Sequence, residues 1–193
     1  MKLLLSHMRA GSHLAAAIMQ LHPFVAHNEQ TGEMMPVEKL INVLSMDNDI
    51  WTYYPYHHRL EYWIKHKPDL KPYLLLRDPR DIIVSTAHFC EKYPQTFLNY
   101  NVNGVRFSDM PVSRRIDYLI DDILHESLYD YERWRMTGLF ELIRFRDLLK
   151  HPVAKIYHNW KRRGVVGAYK DEMTTEQIAR CDDRYGELIE VWG

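Results

Sequence analysis

Cysteine is scarce in this sequence: Cys90 and Cys181 are the two among 193 residues, far apart and with no CxxC spacing. That excludes a disulfide framework and a thiolate zinc motif, and the expectation is a reducing, cytoplasmic compartment. Long apolar runs are also missing. Leu3-Leu4-Leu5 stops at Ser6, with His7 and Arg9 following, too short for the core of a signal peptide. No other stretch approaches the roughly 20 apolar residues that a membrane span needs. Neither sign of charge dominates, since 25 Lys and Arg stand against 26 Asp and Glu for a net charge of −1. Chains that grip bulk nucleic acid or an anionic membrane carry a large basic excess, so neither partner is expected. Any bound anion must be caught by a local cluster. Eight glycines form no linker, and no repeat or low-complexity tract marks a boundary, so one domain over residues 1–193 is expected. Eleven histidines show no HExxH or comparable spacing, and no metal is expected. With 46% hydrophobic residues, the chain has enough apolar material for a core and does not read as disordered.

What is present alternates between short apolar runs and amphipathic stretches. Lys2 to Ser6 reads as a buried strand. After Gly11, Leu14, Ala15, Ile18 and Leu21 recur at helical spacing, and Pro23 closes the segment. Val37 to Leu44 predicts a helix. Tyr73 to Leu76 predicts a second buried strand, and Ile82 to Cys90 the helix behind it. Ser113 is placed to cap a long amphipathic helix through Ile116, Leu119, Ile120, Ile123 and Leu124. Phe140 to Phe145 reads as a strand, and Pro152 opens a helix through Val153, Ile156, Tyr157 and Trp160. Thr174 and Gln177 fit a capping box ahead of the stripe Ile178, Cys181, Tyr185, Leu188, Ile189 and Trp192. Strands alternating with helices predict an α/β protein in three layers, a central, mostly parallel sheet flanked by helices.

Three basic turns punctuate this pattern. In Ser6-His-Met-Arg9-Ala10-Gly11-Ser12-His13, a glycine between strand and helix lets successive N–H groups face one concavity at the positive end of the helix. Arg9 adds charge and Ser12 a hydroxyl, a set suited to phosphate or sulfate; the plainer reading is a tight turn with Arg9 in solvent. Arg77-Asp78-Pro79-Arg80-Asp81 follows the second strand, with Ser85 one turn into the next helix. Ligands of open α/β sheets collect at the carboxyl ends of strands, although these four charges also suit a self-paired turn. Lys161-Arg162-Arg163-Gly164-Val-Val-Gly167 is a cationic, glycine-containing loop, or a solvated run of charge.

Taken in order, the three resemble the sulfotransferases that use 3′-phosphoadenosine 5′-phosphosulfate (PAPS), a P-loop-like fold. Met8-Arg9-Ala10-Gly11-Ser12-His13 takes the place of their Lys/Arg-Ser-Gly-Thr-Thr loop for the 5′-phosphosulfate. Leu75-Leu76-Arg77-Asp78-Pro79-Arg80-Asp81 with Ser85 reproduces their 3′-phosphate segment, and Arg162-Arg163-Gly164-Val-Val-Gly167-Ala-Tyr169-Lys170 is similar to their C-terminal loop. Arg146-Asp147-Leu148-Leu149-Lys150-His151-Pro152 looks like a further family turn, so the likeness spans nearly the whole chain. It implies that Arg9, Ala10, Gly11, Ser12 and His13 hold the 5′-phosphosulfate. It gives the 3′-phosphate to Arg77, Ser85, Arg162, Arg163 and Gly164. Arginine makes charge-assisted, bidentate contacts to phosphate, which suits both roles.

The sequence departs from that family where the acceptor is activated. The family's histidine strip aligns with Trp51-Thr52-Tyr53-Tyr54-Pro55, which puts Tyr53 in the histidine place and Trp51 in the lysine place. An ordinary tyrosine, with a pKa of about 10, donates a hydrogen bond at neutral pH rather than taking a proton. His57 or His58 is a substitute from the next turn of chain. His22-Pro23-Phe24-Val25-Ala26-His27-Asn28-Glu29-Gln30 is similar to the segment that carries a glutamate base in protein-tyrosine sulfotransferases, which makes Glu29 the first candidate. Leu14 and Phe145 replace the family's adenine-stacking tryptophan and a tyrosine. The expectation is transfer of a sulfuryl group from PAPS to a hydroxyl or amine, with Arg9, Glu29, Tyr53 and His57 as catalytic candidates. The alternatives are an inactive domain that binds PAPS or 3′-phosphoadenosine 5′-phosphate (PAP), and a small-molecule kinase, which the absent GxxxxGK[ST] disfavours. The acceptor, whether a small molecule, carbohydrate or peptide, is not specified by the sequence, and neither is the oligomeric state.

Overall fold

The computed structural model describes residues 1–24, 26, 34–46, 48–93, 101–102, 104–156 and 165–193. Two compact units divide the chain, Met1–Arg77 with Ser127–Lys161, and Asp78–Glu126 with Arg162–Gly193.

The first unit is built on a five-stranded sheet. Its strands are β1 (Lys2–Ser6), β2 (His22–Pro23), β3 (Ile50–Thr52), β4 (Lys71–Leu76) and β7 (Glu141–Arg144), in the order β2-β3-β1-β4-β7 with every pairing parallel. Leu3, Leu4 and Leu5 of central β1 and Leu74 of β4 are fully buried, which is why these strands are unbroken apolar runs rather than alternating ones. Helices α1 (Ser12–Met19), α2 (Val37–Leu44), α3 (His58–Lys65), α7 (Phe145–Leu148) and α8 (Pro152–Ile156) flank the sheet, with most of α6 (His125–Met136). The α/β class with a central parallel sheet therefore holds. From β1 the chain winds to β2 and β3 on one side, and β4 and β7 lie on the other. The reversal falls between β1 and β4, where Ser6 pairs with Leu75, and such a switch point opens a crevice at the strands' carboxyl ends.

Helix α6 has no sequence counterpart in the readings above. Its buried face carries Tyr131 and Trp134, whose polar ends are both satisfied on the segment after β3. The Tyr54 N–H donates to Tyr131 Oη at 3.2 Å, and Trp134 Nε1–H donates to the Tyr54 carbonyl at 3.2 Å.

The second unit packs α4 (Pro79–Lys92), α5 (Val112–Tyr118), a π-helical turn (Leu119–Ile123) and α9 (Thr175–Trp192); a small antiparallel ladder joins β5 (Asn101–Val102) to β6 (Val105–Arg106). The long helix expected from Ser113 is instead α5, opened by Pro111 with no side-chain cap and ended after two turns by the π segment. Pro111 presets the entry geometry, which leaves Ser113 inside the first turn. The α9 capping box forms as expected: Thr174 Oγ1 accepts from Gln177 N, and Gln177 Oε1 from Thr174 N. The amide of Gln177 also donates to the Ser113 carbonyl and Asp117, which ties α9 to α5. Tyr157 and Trp160 lie outside the described residues.

Candidate functional site

Strand β1 ends at the switch point, and residues 8–11 turn it into α1. Arg9 sits in the left-handed region (φ 65°), a conformation that non-glycine residues adopt at a cost of roughly 1–2 kcal/mol. Two hydrogen bonds hold it there. Ala10 N–H donates to the His7 carbonyl at 3.1 Å, and Arg77 Nη1 donates to the Arg9 carbonyl at 2.8 Å. Gly11 follows at φ 105°, and a Cβ there would lie 2.4 Å from the Phe145 ring, so glycine is required by conformation and by space together. Ala10 is fully buried beneath the turn.

Arg77 leaves β4 directly beside this turn. Its guanidinium lies 4.3 Å over the Phe145 ring while one edge holds the Arg9 carbonyl. Arg9 and Arg77, 68 residues apart in sequence, are thus brought together by the pairing of β1 with β4. Ser12 is buried, with its hydroxyl 2.8 Å from that of Ser6, which itself donates to the His7 carbonyl at 3.1 Å. The Ser12 proton therefore goes to Ser6, and the hydroxyl braces the turn from inside. The α1 N-terminus supplies the backbone N–H groups, which lack intrahelical acceptors. His13, exposed on the first turn of α1, packs edge-on to Trp51 at 5.0 Å. Partial burial, and then the charge of Arg9, hold its imidazole below the ordinary histidine value.

Tyr53 follows β3 and stacks on Tyr131 at 5.8 Å, with the edge of His7 at 6.0 Å. Sequence reasoning passed over His7. Its ring is fully buried, and desolvation pulls its pKa down to about 4. Nδ1 lies 2.7 Å from the Met8 carbonyl, which only accepts, so the neutral ring carries its proton there. Nε2, 3.0 Å from Ser127 Oγ, accepts from that hydroxyl. A histidine one residue past a buried strand was the available signal. His57 caps α3, its Nδ1 accepting from Arg59 N–H at 3.2 Å, and stacks on His58. That lone pair is committed to the helix.

In the second unit, Ser85 lies half-buried on α4. The charges around it mostly serve structure. Asp78 caps α4 and pairs with Arg80, whose guanidinium also reaches Asp182 and lies 4.2 Å over the Tyr169 ring. Buried Asp81 accepts from the N–H groups of Gly167 (2.9 Å) and Tyr169 (3.4 Å). The self-paired turn is therefore right for Asp78 and Arg80, while Arg77 turns to Arg9 and Asp81 pins residues 167–169. Glu29, Arg162, Arg163 and Gly164 lie outside the described residues. Among the described residues no group of three or more His, Cys, Asp or Glu is placed to hold a metal ion, and no helix is long and apolar enough to cross a membrane.

No protein-family model matches the chain, and no curated protein matches it in sequence. The likeness is one of structure, and the fold is that of a sulfotransferase. The solved structure of mouse sulfotransferase SULT7A1 complexed with PAP superposes with a TM-score of 0.62 at 14% identity, over 97% of this chain and 84% of that one.

Proposed function

We propose that residues 1–193 act as one sulfotransferase-like domain that moves a sulfuryl group from PAPS to a hydroxyl or amine acceptor and releases PAP. The observation that carries this reading is the union of Arg9, Arg77 and the α1 N-terminus at the β1–β4 switch point. Gly11 supports it, because its left-handed φ and the Phe145 ring packed against it leave only glycine able to form this turn. PAPS supplies the activated sulfuryl group. The residues act on charge: Arg9 and the N–H groups of Gly11 to His13 would steady the negative charge that builds on the leaving phosphate oxygen. Arg77, Ser85, Arg162, Arg163 and Gly164 belong to the 3′-phosphate by resemblance.

Calorimetry with PAP tests this. PAP is expected to bind, and Arg77→Ala to weaken it about 10- to 100-fold, as loss of a charge-assisted contact does. No heat from the unaltered protein refutes the reading. Tyr53 in the histidine place favours a second reading, an inactive domain that keeps the nucleotide cradle. PAP binding without PAPS turnover across a broad acceptor panel would establish it.

A further inference from the structure

Beside the anion turn stands a second charged group that the nucleotide reading does not use. Strand β7 ends at Arg144, and Phe145 opens α7 with its ring against Gly11 and under the Arg77 guanidinium. Arg144 and Arg146 are therefore the chain neighbours of a side chain that belongs to the turn. Lys150, just past α7, pairs with Asp147 at 2.7 Å in a contact open to solvent. That hydrogen bond first, and then the charges of Lys150, Arg146 and Arg144, hold the Asp147 carboxyl below its ordinary value. Three cations thus act on one carboxylate, an excess of two positive charges. Arg146 and Lys150 are exposed and Arg144 is half-buried. Among the described residues, neither arginine forms an ion pair. The strand's own acid, Glu141, stands at its amino end.

We propose that Arg144, Arg146 and Lys150 steer the nucleotide, anionic at its 3′ and 5′ ends, toward the Arg9–Gly11 turn, raising its association rate without holding it once bound. The inference rests on the PAPS reading and adds to it the route by which the donor arrives. Charges fixed beside a crevice raise the local concentration of an oppositely charged ligand, and with it the rate of encounter. Salt sets the reach of that field, about 10 Å at 0.1 M. Consecutive Cα atoms lie about 3.8 Å apart, which keeps both flanking arginines within that reach of the turn that Phe145 touches. Cations without an ion-pair partner suit this role, because a closed pair presents little net charge to an approaching anion. Arg80 shows the contrast, with its guanidinium neutralised by Asp78 and Asp182. Position matters as much as sign. Lys71 is equally exposed, but it opens β4 at the strand's amino end, away from the turn.

Stopped-flow association of PAP with the whole chain tests this, in about 10 mM and about 1 M salt, where charge acts over roughly 30 Å and 3 Å. Arg146→Glu alters an exposed side chain, and Lys71→Glu makes the same change of charge at the far end of β4. In low salt, Arg146→Glu should lower kon about 3- to 10-fold and leave koff within about twofold. Arg146→Gln should lose about half as much on a logarithmic scale, since it removes one charge where the reversal shifts two. Lys71→Glu should associate as the unaltered protein does. In 1 M salt all four proteins should associate alike. An Arg146→Glu protein that keeps its low-salt kon, or whose loss survives in 1 M salt or resides in koff, overturns the inference; so does equal slowing by Lys71→Glu. Failure of the unaltered protein to bind PAP instead removes the nucleotide reading on which the inference stands.

Discussion

Gly11 carries two constraints that separate experimentally. Its left-handed φ of 105° strains any other residue, and a Cβ would meet the Phe145 ring at 2.4 Å. Gly11→Ala should therefore cost about 2–4 kcal/mol in chemical denaturation, the sum of backbone strain and overpacking. With Phe145→Ala in the same chain, the crowding part should vanish and the strain part remain, giving a coupling of about 1 kcal/mol or more in a double-mutant cycle. A neutral Gly11→Ala would show that the turn is not held as described. At this scale the sequence was informative about residue type and less so about use. The glycine was readable because strand-to-helix turns with close packing require one. The Ser12 hydroxyl was expected to face a ligand, yet it braces Ser6 inside the turn, since a buried hydroxyl must find a local partner.

Among the elements, strands β1 and β4 were readable because burial on both faces leaves an unbroken apolar run. Helix α6 was not, because its sequence is rich in charge and two of its three buried residues, Tyr131 and Trp134, satisfy their polar atoms on a distant segment. Two- and three-residue strands such as β2 and β3 carry too few side chains to display a period. The basic segment after β4 divides its labour along α4. Arg77 serves the β1–α1 turn, whereas Asp81 on the first turn of α4 holds the backbone of Gly167 and Tyr169. Asp81→Ala leaves two backbone donors without their carboxylate. Amide exchange at Gly167 and Tyr169 should quicken at least tenfold, and stability should fall by about 1–3 kcal/mol. Unchanged exchange at both amides would remove Asp81 from this role.

For the molecule as a whole, the near-zero net charge is compatible with locally placed cations, because the strand order brings the Arg77 guanidinium onto the backbone of the Arg9 turn. The sequence showed that both arginines follow strands; that the strands are neighbours was available only through the resemblance, since pairing depends on the whole topology. His7 links the same region to global stability. Its pKa is about 4 in the folded chain against an ordinary 6.5, so between those values the unfolded chain binds more protons. Stability from this group is complete above pH 6.5 and is lost as pH falls toward 4, by about 3 kcal/mol in all. His7→Gln, which keeps an amide near Met8 and Ser127, should flatten that part of the pH–melting curve. An unaltered slope would assign the acid sensitivity to other groups.

The contact between Arg77 and the Arg9 carbonyl has one more consequence. A guanidinium already docked on a main-chain oxygen, and resting on an aromatic plane, has given up its rotational freedom before any anion arrives. Ligand capture at this corner then requires no reorientation of the side chain. Lysine in its place would match the charge but not the planar fork, so the position demands a particular shape of cation and not merely a positive one.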